Sequence, residues 1–322
     1  MPIRLEEFGF GRYYNDRFRA ALAHQELLHQ QYLDNLVNAV HQRGVRPAPI
    51  VVEEPDEEGA MLNDFRVGCD PEFILLNGDG RTSDASLYFP HFGPIGYDHG
   101  GRVAELRPDP GKGVYSIVKR IQGLINHPKV KEANKRLRAG AICNHDSLGG
   151  HVHFGFNCFA EKPQHGYSIN PEMVGGGRFN ERGAKVTKAL DTLTKTLERL
   201  DILPKNECAR RRDNGQGYGR YGDVRDCNGH MEYRTMASWL YDPKVAFLCL
   251  TAAKLAAVDP EGTLEALKRC DDFATFEHWL NQYKGKDLNA ARASEKLLDK
   301  GLRYIQVDPD VDFRERWERL GL

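Results

Sequence analysis

The stretch Gly149 to Phe156, GGHVHFGF, places two histidines, His151 and His153, one residue apart between paired glycines and an apolar run. Strand side chains alternate with period two, so both imidazoles point to one face, roughly 7 Å apart along the chain. One face of a sheet then carries polar groups. Taken alone, the pattern also suits an ordinary half-buried strand whose glycines mark a turn. Its meaning depends on what the rest of the chain sets beside it.

Three further segments present charged groups on expected strands: Asp70 and Glu72 in GCDPEF, Asp98 and Glu105 in GYDHGGRVAELRP, and Glu232 in HMEYR. Asp70 and Glu72 are two apart and share a face, as His151 and His153 do, and Glu232 with Arg234 repeats the spacing. Most of these acids lie among Val, Ile, Leu, Phe or Tyr, where a core is normally apolar. If the faces converge, two carboxylates ~5 Å apart at an effective dielectric constant of about 20 repel by ~3 kcal/mol, so several together need cations or protons. A metal is the simplest answer. Carboxylates outnumber imidazoles and no cysteine clearly joins them, so the donor set is hard and suits Mg²⁺ or Mn²⁺ better than Zn²⁺.

A second group is cationic: Arg210, Arg211, Arg212, Arg220, Arg225 and Arg234, interleaved with Gly215, Gly217, Gly219 and Gly222. Flexible backbone with guanidinium forks suits closure over phosphate or carboxylate oxygens. The alternative is a solvated basic loop, against which Arg234 stands in strand register beside Glu232. Two other motifs fail. In DPGKGVYS a phosphate-binding loop needs Gly six positions before Lys112 and a hydroxyl directly after it, but Leu106 and Gly113 stand there. No G-x-S-x-G occurs, and neither Cys69 nor Ser238 has an obvious local base.

The 322 residues are 40% hydrophobic and 28% charged, enough for one large domain or two smaller ones. With 45 Lys plus Arg against 46 Asp plus Glu, no global field points to nucleic acid or an anionic membrane. No run approaches the ~20 apolar residues of a membrane span, and the start, MPIRLEEFGFGRYY, lacks the apolar core of a signal peptide. A cytoplasmic protein is expected. Seven cysteines, scattered and never spaced C-x-x-C, suggest reduced, buried thiols.

Residues 15–43 read as a polar helix with an apolar stripe, followed by a proline-containing acidic linker, so residues 1–60 form an expected appendage and 61–322 the catalytic domain. FRVGCDPEFILLN reads as a strand, GYDHGGRVAELRP as two strands about His99 to Gly101, and residues 113–126 as a helix. AGAICNHDSLGGHVHFGF reads as a hairpin turning at Ser147 to Gly150. A Gly-rich loop is expected over 159–182, then an amphipathic helix to about Leu203, a basic glycine loop, and a β run from Met231 to Leu240. Beyond Pro243 the pattern is helical, a layer covering the sheet. Strands and helices interleave without regular βαβ spacing, which makes the class α+β with antiparallel pairing.

The ordered set of an acidic-x-Glu strand, a later Glu, Gly149-Gly150-His151-Val152-His153, an arginine-rich loop and Glu232-x-Arg234 resembles the glutamine synthetase and glutamate cysteine ligase superfamily. GCDPEF, AELRPDPG, GGHVHFGF and EYRTMASWL more closely resemble the phage and bacterial carboxylate-amine ligases called type 2 amidoligases, over about Phe65 to Tyr241. The resemblance implies a curved, mainly antiparallel sheet with helices on its outer face. Its inner face would hold ATP and two or three divalent cations, Mg²⁺ or Mn²⁺. By that similarity Asp70, Glu72, Glu105, His151 and Glu232 are metal ligands, with Asp98 a looser match. Arg234 corresponds to the strand arginine near the transferred phosphate, joined there by Arg212 and Arg220. Arg210, Arg211, Arg225 and His153 would hold nucleotide or substrate.

The implied reaction joins a small-molecule or peptide carboxylate to an amine through an acyl phosphate. Glutamine synthetase has Glu where this chain has Asp70, and no ammonium-binding loop is identifiable, so an amine larger than ammonia is expected. Three alternatives stay open: a related phosphotransferase, an ATP-independent metal hydrolase, and a non-enzyme with polar core groups. A helical tail can cover its own sheet or that of a neighbouring copy, so homo-oligomerisation is open too.

Overall fold

Strand β1, Val67–Leu76, organises the molecule. In the computed structural model the described residues are 66–98, 100–155, 168–169, 181–213, 217–226, 230–284 and 308–319. The expected appendage at 1–60, nearly all of the expected loop at 159–182, and residues 285–307 lie outside them. After β1 come β2 (Thr82–Ser83), β3 (Ile95–Tyr97), β4 (Ala104–Leu106), α1 (Val114–Ile125), α2 (Pro128–Glu132), β5 (Arg136–Arg138), β6 (Ile142–Cys143), β7 (Asp146–Ser147), β8 (Gly150–Gly155) and β9 (Ser168–Ile169). The remainder is α3 (Glu181–Arg199), α4 (Lys205–Asp213), β10 (Val224–Asp226), β11 (His230–Tyr233), α5 (Pro243–Val258), α6 (Pro260–Leu267), α7 (Phe273–Lys284) and α8 (Arg314–Glu318).

The main sheet is open, runs β3-β4-β1-β8-β11-β10-β9, and also takes β2 and β5 against β1. Every pairing is antiparallel. The chain is thus a mixed helical and antiparallel-sheet protein, as its interleaved patterns predict.

Register and parity divide the sheet into two chemically different faces. On one, Val67, Cys69, Phe73 and Leu75 of β1 align with Val152 and Phe154 of β8, Met231 and Tyr233 of β11, Val224 of β10, and Ala104 and Leu106 of β4, all in one buried core. Helix α5 lies against β8 on this side and is flanked by α1, α3 and α6. It starts sharply because the Asp242 carboxylate accepts the Lys244 N–H at 2.7 Å and Pro243 opens the first turn. Its burial on nearly every face explains why its sequence, KVAFLCLTAAKLAAV, lacks a polar stripe. Helix α1 instead buries Val114, Ile117, Val118, Ile121 and Ile125, a single stripe. On the sheet's other face, Gly68, Asp70 and Glu72 of β1 give way to Ile74 and Leu76, which pack with Cys143 and Leu148 in a small second cluster.

The C-terminal stretch closes the core from a distance. Phe313 meets Phe73 of β1 edge to face at 5.9 Å, and the buried Trp317 donates its indole N–H to Leu240 O at 2.6 Å. Gln122 of α1 donates to Trp317 O at 2.8 Å, and Arg138 of β5 pairs with Asp310 at 2.8 Å. The described cysteines Cys69, Cys143, Cys208, Cys249 and Cys270 are free and buried. Among the described residues no helix is long and apolar enough to cross a membrane.

Three sequence expectations are corrected. The hairpin before β8 turns at Asn144, in the left-handed region at φ 54°, with β6 and β7 as its arms; Ser147 to Gly150 lead straight into β8. Asn tolerates that conformation, so a glycine pair was not needed. The expected β run to Leu240 stops at Tyr233, because the Arg211 guanidinium takes the carbonyls of Arg234, Thr235 and Met236 at 2.9–3.2 Å. Arg210, Arg211 and Arg212 lie on α4 rather than in a glycine loop: Cys208 N–H bonds Pro204 O and starts the helix ahead of the glycines.

Candidate active site

The register alone places the charged groups together. Asp70 stands opposite His151, His153 opposite Glu232, Glu232 opposite Arg225, and Glu72 opposite Glu105. Directly paired residues share a face, so five strands deliver two imidazoles, four acids and an arginine to the side opposite α5.

The glycines around the histidines supply space. A Cβ on Gly149 would lie 2.0 Å from His151 Nε2, and one on Gly150 would lie 2.4 Å from Ala237 O and 2.6 Å from the Trp239 ring. Gly149 also donates its N–H to Glu72 Oε2 at 2.5 Å. The paired glycines of GGHVHFGF therefore let the ring of His151 lie back over its own strand and let the 234–240 segment approach.

Asp70 Oδ1 lies 2.8 Å from His153 Nε2 and 3.3 Å from His151 Nδ1, and His151 Nδ1 is also 3.3 Å from Glu232 Oε1. Glu232, with no exposed surface, is gripped by Arg225 through Nε at 2.6 Å and through Nη2, and has Arg234 Nε at 3.3 Å. Glu105 pairs with Arg107 at 2.6 Å.

Burial pushes carboxyls up, and the partners decide which ones follow. For Asp70 burial is outweighed by His153 and His151, which hold it well below the carboxylate range. Burial at Glu232 is likewise overcome, chiefly by His151, and its pKa is lowered. Burial wins at Glu72, whose pKa is raised, and at Glu105, raised to about 9 by burial and then by the Asp70 charge. Burial pulls both imidazoles down, but Glu72 and Asp70 bring His151 to about 9, and Asp70 raises His153. Protons and guanidiniums thus balance the acids.

Asp70, His153 and Glu232 each offer one ligand atom, mutually within 4.8 Å. Asp70 Oδ1 is buried there within reach of both imidazoles. Two carboxylate oxygens and an imidazole nitrogen at that spacing fit a hard divalent cation. His151, Glu72 and Glu105 border this trio, and the structure draws His153 into it beside the expected ligands.

Two cavities flank the group. One, of about 370 Å³, is lined by Arg66, Asp70, Arg107, His153 and apolar surface from Cys69, Pro108, Pro110 and Phe154. The other, of about 150 Å³, is lined by Glu72, His151, Arg211, Arg234, Tyr218, Asp98, Arg102, His145 and Asp146 among others. The arginines divide accordingly. Arg225 and Arg234 pair with Glu232, and Arg234 also stacks on Tyr218, 5.1 Å from the ring centroid. Arg211 is buried and holds backbone carbonyls while bordering the smaller cavity. Arg212 is held in a two-point pair by Glu198 at 2.6 and 2.8 Å, stacked on Tyr221, and borders neither cavity. Arg210 and Arg220 are exposed.

Residues 67–160 and 181–300 match the sequence profile described as phage phiEco32-like COOH.NH2 ligase-type 2. The chain belongs to this family. The match to the COOH.NH2 ligase family takes in every strand of the charged face and continues through α5 to α7, where the sequence alone offered no recognisable motif. No curated protein sequence matches the chain. Among solved structures it is similar to a bifunctional glutathione synthetase from Pasteurella multocida, at 10% identity and a TM-score of 0.35 over 81% of this chain and 49% of that one. The chain thus spans about half the length of that protein.

Sequence reading missed Arg107, Arg102, Asp146, His145 and Tyr218. Arg107 was within reach: it follows Glu105 by two in AELRPDPG, the parity that paired Asp70 with Glu72. Arg102, His145 and Tyr218 lie on loops, and Asp146 on a strand of two residues, too short for a period to show.

Proposed function

We propose that this COOH.NH2 ligase family member joins a carboxylate to an amine at the expense of ATP, through an acyl phosphate, on a glutamine synthetase-like curved sheet. The observation that carries the reading is the charged trio Asp70, His153 and Glu232, set between two cavities of different electrical character. The larger cavity has two guanidiniums and an imidazole against a single carboxylate, together with apolar walls. That combination suits a nucleotide, whose base takes the apolar surface and whose phosphates face Arg66 and Arg107. The smaller cavity, on the other side of Asp70 and His151, takes the acid and amine.

Asp70, His153 and Glu232 would hold a divalent cation, Mg²⁺ or Mn²⁺, with Glu72, Glu105 and His151 around it. Such an ion, when bound, neutralises phosphate charge as it shifts during transfer. Arg225 and Arg234 fix the Glu232 carboxylate, and Arg234 faces the smaller cavity, where it stabilises negative charge on the leaving phosphate. The γ-phosphoryl passes from ATP to a carboxylate oxygen, releasing ADP. The amine nitrogen then attacks the acyl carbon, phosphate leaves, and Glu72 or Asp98 can accept the proton given up by nitrogen.

Incubation with Mg²⁺, ATP and panels of acids and amines tests this. ADP is expected only when both substrates are present, with isotope from the amine appearing in the product. ADP released without incorporation would make the chain a phosphotransferase, and metal-dependent cleavage of an amide or ester with no need of ATP would make it a hydrolase.

A further inference from the structure

We infer that Tyr218 is a positioning residue of the proposed reaction: its ring fixes the plane of the Arg234 guanidinium at the wall of the smaller cavity, so that the N–H edge of that arginine meets the leaving phosphate. The inference rests on the ligase reading for the reaction, and on the geometry of the glycine loop for the residue.

Tyr218 and Arg234 are clamped together through their backbones. Tyr218 stands on the turn between Gly217 and Gly219, both in the left-handed region at φ 80° and 73°. A Cβ on Gly219 would lie 2.7 Å from Arg211 Nη1, so that glycine lets the turn settle onto the buried Arg211 guanidinium. The same guanidinium takes the carbonyls of Arg234, Thr235 and Met236. Two further bonds close the clamp: Arg234 N–H donates to Asp223 O at 2.8 Å, and Thr235 Oγ1 donates to Arg220 O at 2.7 Å. The loop and the segment after β11 are thus one unit, with Arg234 Cζ 5.1 Å from the centre of the Tyr218 ring.

The contact is chemically selective. An aromatic face attracts the flat side of a guanidinium and consumes none of its N–H donors, which stay in the plane for an oxyanion. A carboxylate at one edge, as Glu232 is at Nε, leaves such a plane able to turn about that edge, whereas a ring across its face does not. Tyr218 is 42% exposed and lines the smaller cavity, so it adds little to the core.

Tyr221, three residues on, is the contrast. It stacks on Arg212 at 4.7 Å and donates its hydroxyl to Glu198 at 3.1 Å, in a group that borders neither cavity. The same pair of residue types serves stability there and the site at Tyr218.

Steady-state kinetics, urea denaturation and NMR of the arginine side chains test the inference on the full chain, with Tyr218→Phe, Tyr218→Leu and Tyr221→Leu. The Arg234 side-chain signal, identified by its loss in Arg234→Lys, is expected upfield of ordinary arginines because the guanidinium lies over a ring. Tyr218→Phe should keep that shift and full turnover. Tyr218→Leu should abolish the shift and lower kcat about tenfold, with the KM for ATP and the urea midpoint unchanged. Tyr221→Leu should lower the midpoint and spare kcat. An unaltered kcat in Tyr218→Leu, a loss of its fold, an equal fall of kcat in Tyr221→Leu, or failure of phenylalanine to sustain turnover overturns the inference. A wild type that forms ADP with acid and amine while Tyr218→Leu matches it removes the role of Tyr218 and spares the ligase reading; a wild type that forms none removes the reading, and this role with it.

Discussion

Glu72 and Glu232 are buried acids on the same sheet face, yet their surroundings move them in opposite directions. Two guanidiniums and an imidazole sit on Glu232 and keep it ionised. Glu72 has burial against it and Asp98 nearby, and its pKa is raised. Glu232→Gln should therefore leave cations unbalanced in the metal-free protein and cost on the order of 3 kcal/mol. Glu72→Gln removes a charge the fold resists while retaining an acceptor for the Gly149 N–H, so its stability should hold or rise by about 1 kcal/mol. Both should lose turnover. Urea denaturation of the metal-free variants separates the two, and equal destabilisation would refute the electrostatic account. Stability and function part company at Glu72, as expected of a site built to receive a cation.

Among the elements, the strands of the charged face were legible because one rule sufficed. Period two assigned Asp70, Glu72, His151, His153 and Glu232 to shared faces, and the observed register aligns those faces. Helix α5 was legible from the helical pattern beyond Pro243. What the sequence hid were contacts between remote segments. Nothing local says that Arg211 would reach the carbonyls after β11, that Glu198 would hold Arg212, or that Asn144 would turn the chain. Gly96 of β3 is a similar case: a Cβ there would lie 2.1 Å from Arg107 Nη1, so the glycine is the groove through which Arg107 reaches Glu105 and the carbonyls of His91 and Gly93. Gly96→Ala should expel the guanidinium and raise the KM for ATP about tenfold, close to the effect of Arg107→Met. Steady-state kinetics of the two variants check this, and a normal KM in both would remove Arg107 from the nucleotide site.

For the whole molecule, the balance between protons and metal sets a pH dependence. Glu105 and His151 both stand at about 9 in the metal-free fold, above their unfolded values of about 4.3 and 6.5. The folded state then holds more protons than the unfolded one, so metal-free stability falls as pH rises through both unfolded values towards about 9. A divalent ion competes with those protons. Its affinity should increase over the same range, and calorimetry at pH 7 in buffers of different ionisation heat should register proton release on binding. A pH-independent affinity would show that the ion binds away from these groups.

The far end of the described chain has a temporal consequence. Phe313 and Trp317 fill the space beneath β1, α1 and the segment after β11, reaching β1 and α1 from about two hundred positions along the sequence. On the ribosome, the strand bearing Asp70 and Glu72 emerges well before residues 313–317, so its underside is filled only after those residues too have been made. A nascent chain that stops short of them therefore exposes the acids of the charged face without the packing behind β1.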